Sequence, residues 1–369
     1  MFLTQLFCYP LKSGRAQSLN AAQFTPLGLL GDRRLVVVDA TARFVSIRNY
    51  AKLSLVDCQL DEHICTLKAP GMEPVSISLV SDNREQISVW RSTINARRLS
   101  ALADEWLSRY LGGQFYLCFY DEYSSREVSR RPDHQVSFAD SCPVLVISEQ
   151  SLQALNDYTG RVDQMLQFRP NLVVNADQPF AEESWQKIRI GNVELEAVKP
   201  CSRCQIICVD PNTAVADTEG EPLKSLSQFH RTEAGDVTFG QYFVVTAQGR
   251  MGLNDAIEVL EKRTPSTYRM VVDKPVTANA KRHSVLFDQA GVSTQGSEQQ
   301  TILEIAEDAG VDLPSSCRSG SCGTCRVKLI KGQVEVGADY ALSEQEIEAG
   351  YILACSCFAR SDLVISQED

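Results

Sequence analysis

Four cysteines toward the C-terminal end carry the plainest chemistry in the chain. Cys317, Cys322 and Cys325 follow the spacing C-x4-C-x2-C, and 29 residues separate Cys325 from Cys355. Four thiolates so spaced are what a [2Fe–2S] cluster needs. Gly320 and Gly323 lie inside the loop. Glycine takes positive φ without steric cost, so the backbone there can close on an inorganic core and aim N–H groups at sulfur. A structural zinc site is the other use of such cysteines, but it usually presents two C-x2-C pairs, and here there is one.

A second cluster reads Lys199-Pro-Cys201-Ser202-Arg203-Cys204-Gln-Ile-Ile-Cys208. Three uses are open: zinc with His230 as fourth ligand, a redox dithiol, or one catalytic thiolate beside two packing thiols. Cys208 sits in the apolar run 206–209, where a thiol packs as a small hydrophobe. Lys199 and Arg203 favour a reactive or metal-bound thiolate among Cys201 and Cys204. Four further segments crowd polar residues beside glycine or proline turns: 9–14, 31–34, 137–140 and 168–171. In them Lys12 and Arg33 are candidates to hold a phosphate and Ser13 to donate to it. Asp140 and Asn171 are candidates to read the edge of a heterocycle. Each taken alone also fits a turn residue or a surface ion pair.

The elements that must position these groups are mostly strands. Segments 34–38, 44–48, 64–67 and 75–80 alternate or run apolar between Gly, Asp and Pro turns, as in an all-β barrel or sandwich. The pattern predicts a helix over 101–111, stopped by Gly112-Gly113, and a strand over 115–120. Residues 121–135 are polar and predict a mobile surface loop. Strands are expected at 143–147, 172–175, 239–245 and 255–260, with Ser148 capping a helix that runs to Tyr158. Segments 187–190 and 193–196 form a hairpin around Gly191-Asn192. Residues 264–283 have no apolar period and predict a linker. Beyond it, 301–310 reads as a short amphipathic helix and 326–330 as a strand leaving the cysteine loop.

Residues 284–369 resemble the plant-type ferredoxin domain, which implies a β-grasp fold and one-electron chemistry. In that family the last ligand follows a short apolar run. Here the run is 352–354, so Cys355 is taken as the ligand and Cys357 as a buried neighbour. The earlier motifs, Y-P-x-K-S, G-D-R, S-F-A-D, F-R-P-N, K-P-C-S-R-C and F-G-Q-Y, span residues 9–242. In this order they resemble the MOSC-domain family preceded by its N-terminal β-barrel module. The branch with that module resembles the amidoxime-reducing components, and the fused ferredoxin gives the architecture of the bacterial YcbX group.

The resemblance implies a mainly β chain with α+β elements: an N-terminal β module over 1–99, a MOSC β-barrel over 100–263, a linker over 264–283 and a ferredoxin domain over 284–369. It implies the molybdenum cofactor, with Cys204 as the protein thiolate on molybdenum, a soft ligand for a sulfur-rich cofactor. Lys12, Ser13 and Arg33 would grip the cofactor phosphate. Asp140, Arg169, Asn171, Ser202 and Arg203 would line the pterin, and Asp140 is also a candidate proton donor. The implied activity is reduction of small N-hydroxylated compounds, with electrons entering at the [2Fe–2S] cluster. No G-x-G-x-x-G turn is present, so a separate flavoprotein reductase is the expected electron donor. A cofactor or sulfur carrier with a redox-sensing ferredoxin is the alternative.

Composition narrows the surroundings. The net charge of −11 is uneven: residues 284–369 hold fourteen acidic and five basic side chains, a net −9. An acidic module suits a basic face on a redox partner. No concentrated basic patch predicts binding to a nucleic-acid polymer. No run approaches 18 apolar residues, and the N-terminal residues lack the pattern of an export signal, so no membrane partner is expected. Of thirteen cysteines four have cluster spacing, and the odd total without an export pattern predicts a reducing cytoplasmic setting rather than disulfides.

Overall fold

The computed structural model describes residues 1–232, 236–269, 280–315, 320, 323–337 and 341–367. The chain divides into two compact units. One comprises residues 1–201, 206–220 and 240–265; the other comprises 202–205, 221–239 and 266–369.

The first unit is built on an eight-stranded sheet. Its order is Gln17–Ser18, Phe2–Cys8, Leu172–Asn175, Val144–Ser148, Thr238–Ala247, Val193–Ser202, Trp185–Ile190 and Ile257–Lys262. The two ends meet. Leu3 N–H donates to the Asp255 carbonyl at 3.0 Å and Ile257 N–H to the Met1 carbonyl at 3.1 Å, closing the sheet into a barrel. Alternation fixes which face is inside. Val193, Leu195 and Ala197 are buried, while Glu194 and Glu196 between them face outward into ion pairs with Lys187, Arg189 and Arg131. Leu3, Leu6, Val144, Val146, Leu172, Val174 and Phe243 complete the apolar interior.

A second sheet in this unit orders Leu35–Asp39, Phe115–Phe119, Ser92–Arg98 and Arg84–Val89. A three-stranded sheet of Asp57–Leu60, Ile64–Lys68 and Val75–Ser78 accompanies it. The helix Ala101–Leu111 ends at Gly112 with φ 80° and packs Ala103, Trp106 and Leu107 into the shared core. Two features cut across the module borders expected from sequence. Phe2–Cys8 belongs to the barrel of the later domain, and the helix with Phe115–Phe119 belongs to the N-terminal sheets.

Two local expectations are corrected. Segment 44–48 is not a strand. Beyond isolated bridges at Arg43 and Phe44 the chain turns, with Tyr50 N–H donating to the Ser46 carbonyl at 2.9 Å. Segment 121–135 is not a loop throughout. Glu127–Val128 pairs with Arg131–Gln135, and Arg126 is buried.

In the second unit, a five-stranded sheet orders Val292–Ser297, Arg282–Phe287, Leu363–Ser366, Arg326–Lys331 and Tyr351–Leu353, with the second and third parallel. Helix Ile302–Asp308 covers it in β-grasp fashion. Its start is fixed by a capping box: Glu304 N–H donates to Thr301 Oγ1 at 3.2 Å, and Thr301 N–H to Glu304 Oε2 at 2.7 Å. The helix seats closely because Gly296 has no side chain; a Cβ there would lie 2.2 Å from Ile305 Cδ1.

The same unit holds helix Leu223–Phe229 and strand Arg231–Thr232, which pairs with Tyr268–Arg269. The segment expected as a linker is therefore ordered at its start; residues 270–279 of it lie outside the described residues. No helix among the described residues is long and apolar enough to cross a membrane.

Candidate functional site

A basic cradle forms in the first unit where three turns meet the end of Phe2–Cys8. The turn after Pro10 is fixed by Lys12 N–H donating to the Leu35 carbonyl at 2.7 Å and Gly14 N–H to the Leu11 carbonyl at 2.9 Å. Ser13 sits at φ 68°, Arg33 at 46° and Arg169 at 55°. Non-glycine residues in this region are strained, and such strain gathers at binding sites.

Lys12 is buried. Its Nζ donates to the Phe138 carbonyl at 2.8 Å and pairs with the Asp140 carboxylate. Burial pulls the Lys12 ammonium down to about 8, although Asp140 opposes the fall. Asp140 is half-buried. Burial works against its charge, but Lys12 and Arg48 hold the carboxyl well below the usual carboxylate range. It is therefore an acceptor in this arrangement, taking hydrogen bonds from Lys12 and Trp90. Ser13 Oγ accepts from Ile47 N–H at 3.3 Å, which leaves its own hydrogen to donate.

Arg33 and Arg169 both lie over the buried ring of Tyr9, with guanidinium carbons 4.2 and 4.3 Å from its centroid. Arg33 is committed to Asp32, to Asn171 Oδ1 at 3.0 Å and to the Arg169 carbonyl at 3.1 Å. Arg169 Nη1 donates to the Gly14 carbonyl at 2.9 Å, but its buried Nη2 and the Tyr9 hydroxyl have no hydrogen-bond partner among the described residues. Burial lowers Arg169 to about 10 and raises Tyr9 to about 12. Groups buried without a partner beside further cationic donors are open to a ligand. Donors of this kind fit a phosphate-bearing cofactor.

Asn171 Nδ2 donates to the Phe7 carbonyl at 3.2 Å, while Oδ1 accepts from Arg33 and from Leu145 N–H at 3.3 Å. Its amide is used inside the protein, where it braces Arg33.

Three residues that spacing did not single out complete the cradle. Arg126 ties the 137–140 turn together, donating from Nη1 to the Ser137 carbonyl at 3.1 Å and from Nη2 to the Asp140 carbonyl at 2.8 Å. Arg48 lies 4.8 Å from the Trp90 ring. Trp90, at φ 57°, reaches Asp140 Oδ1 with Nε1 at 3.3 Å. The crowding of basic residues near Asp140 was the only available signal for Arg126, and Trp90 had none.

The strand Val193–Ser202 delivers the second cysteine cluster. Cys201 and Cys208 are buried, and Cys208 Sγ is 3.3 Å from the Gly220 carbonyl. Cys204 is half-buried, as is Ser202. Arg203 is buried and anchored: its N–H donates to the Val237 carbonyl at 2.7 Å and its Nε to the Phe239 carbonyl at 2.8 Å. Gly240 follows at φ 78°, and a Cβ there would stand 2.6 Å from Ile147 Cγ1. Zinc shared with His230 finds no support. Its Nδ1 contacts the Thr238 carbonyl at 3.0 Å and its ring stacks on Tyr268 at 3.7 Å. No three His, Cys, Asp or Glu side chains among the described residues converge as a metal would require.

Of the cluster cysteines, Cys317 and Cys322 lie outside the described residues. Cys325 and Cys355 are buried in the ferredoxin core, tied by Ala354 N–H donating to the Cys325 carbonyl at 3.0 Å. Gly320, at φ 69°, points its N–H at Cys355 Sγ, 3.2 Å away. That is the hydrogen bond a cluster thiolate receives. Cys357 is fully buried and opens the strand Cys357–Ala359.

Comparison with known proteins matches three modules along the chain. Residues 1–114 match the MOSC N-terminal beta barrel domain, 133–258 the MOSC domain and 285–360 the 2Fe-2S iron-sulfur cluster binding domain. The chain thus carries the domains for two redox cofactors, the molybdenum cofactor and a [2Fe–2S] cluster. Mitochondrial amidoxime-reducing component 1 of Danio rerio is 32% identical over 272 residues, which cover 69% of this chain and 83% of that protein. The component 1 proteins of Mus musculus and Homo sapiens are 30% and 29% identical over 279 residues, each covering 70% of this chain and 82% of the relative. With its N-terminal barrel, MOSC and ferredoxin modules, the chain belongs to the amidoxime-reducing component family.

Proposed function

We propose that the protein is a molybdenum-cofactor-dependent reductase of N-hydroxylated compounds, fed one electron at a time through its [2Fe–2S] cluster by a separate flavoprotein reductase. The observation that carries this reading is the buried Arg169 Nη2 left without a partner in a cradle of cationic donors. Lys12, Ser13, Arg33 and Arg169 would hold the cofactor phosphate, with Asn171 fixing Arg33 and Arg126 fixing the turn that carries Asp140. Ser202 and Arg203 frame Cys204, the thiolate that would bind molybdenum. When bound, the cofactor supplies two-electron, oxygen-accepting chemistry. The net reaction takes N–OH, two electrons and two protons to N–H and water. The protein's part is orientation and charge: Lys12 stays cationic beside an ionised Asp140 at neutral pH. The acidic ferredoxin module is the surface a basic donor protein would meet.

A Cys204→Ser variant tests the assignment. It should keep the iron–sulfur visible spectrum and lose reduction of hydroxylamine driven by a reductant; full activity in this variant would reject Cys204 as the metal ligand.

A further inference from the structure

The second unit contains both Cys355 and Cys204. Cys355 lines a small recess together with Thr301, Leu303 and Glu304 of the ferredoxin module and Ser227 and Arg231 of the MOSC segment. Glu304 is turned back onto Thr301 by the capping box. From Arg231 a β-bridge leads to Val237. The Val237 carbonyl accepts from Arg203 N–H at 2.7 Å, and the Phe239 carbonyl accepts from Arg203 Nε at 2.8 Å. Arg203 is bonded directly to Cys204. Electron tunnelling falls off exponentially with distance and falls faster through empty space than through bonds. A route of one recess, one bridge and one hydrogen bond is therefore favoured over a path through solvent.

We propose that Cys355 is the ligand through which electrons leave the cluster, and that they reach Cys204 by way of Arg231, Val237 and Arg203. The proposal rests on the reductase reading above and adds the internal route to it. Each transfer oxidises the reduced cluster by one electron and delivers that electron to the centre held at Cys204. Two transfers with two protons from water balance the loss of one N–OH oxygen as water. Ser227 and Arg231 thereby become a docking wall for the protein's own ferredoxin module, and Arg231 a positioning residue with a charge effect on the cluster.

The experiment uses the whole protein carrying iron and molybdenum. Its cluster is reduced with dithionite and mixed anaerobically with hydroxylamine, and return of the oxidised-cluster absorbance is timed. Ser227→Trp fills the recess and should slow reoxidation at least about tenfold, because small displacements at a reacting pair are costly. Metal content should be unchanged, and Lys224→Trp, on an exposed position of the same helix, should match the unaltered protein. A wild-type rate in Ser227→Trp with both metals retained would overturn the route. Arg231→Gln gives a second readout that needs no turnover. A cation beside the cluster favours the reduced, more negative form, so its loss should lower the cluster's reduction potential; an unchanged potential would remove Arg231 from the cluster's surroundings and overturn the proposal. If the unaltered protein, with both metals bound, shows no reoxidation by hydroxylamine, the reductase reading itself fails and the route with it.

Discussion

The cradle around Arg169 and the cysteine loop around Cys355, the two places proposed to hold redox cofactors, are built in opposite ways. The loop's four cysteines come from one short stretch of sequence and one later turn at Cys355, where the backbone N–H of Gly320 donates to Cys355 Sγ. The cradle gathers side chains from turns far apart in sequence: Lys12 meets Asp140 across 128 residues and Arg33 meets Asn171 across 138. A site made by tertiary contacts exists only when the barrel is closed, so its residues divide into those that touch ligand and those that hold the others.

The largest effect should come from the loop. Replacing Cys355 with Ser should abolish the iron–sulfur visible spectrum, since a cluster needs all four thiolates. Cys357→Ser should leave the spectrum intact and cost only stability. Equal loss in both would mean the two cysteines share the ligand role and would blur the contrast with the cradle.

The next prediction separates the two kinds of cradle residue. Asn171→Leu leaves Phe7, Leu145 and Arg33 groups unpaired and should cost about 2–4 kcal/mol of unfolding free energy, read by denaturant titration. Arg169→Gln removes a guanidinium that is already short of a partner. It should change stability by less than about 1 kcal/mol while sharply lowering molybdenum content. Destabilisation by both to the same degree would make Arg169 a structural brace as well.

How much of this was legible follows the same divide. The cysteine spacing announced the cluster, and the hairpin at 185–202 was announced by Gly191-Asn192 between alternating strands. The cradle's motifs were visible as clusters of polar residues at turns, but only the fold shows that the amide of Asn171 is used by Phe7, Leu145 and Arg33. Arg126 was hidden in a polar stretch that lacks apolar alternation, although backbone pairing and the Arg131–Glu196 ion pair hold that stretch in place. Segment 44–48 misled in the other direction. It alternates like a strand, yet the Ser46 turn takes it out of the sheet and brings Arg48 against Trp90.

The smallest effect concerns pH. Lys12 is charged below about 8 and loses its proton above it, since burial has lowered its pKa. Retention of the cofactor on dialysis should therefore weaken as pH rises from 8 to 10. A bound phosphate raises the Lys12 pKa and moves the fall upward within that window. Lys12→Arg, which stays charged, should flatten the profile; the same fall in the variant would assign it to another group.

The most direct measurement is the metal content of the protein purified anaerobically from a molybdenum-replete host, together with its visible spectrum. The account predicts roughly two iron and one molybdenum per chain with a ferredoxin-like spectrum. Iron without molybdenum, repeated under good cofactor supply, would contradict the reductase reading, and zinc in place of iron would contradict the cluster assignment as well.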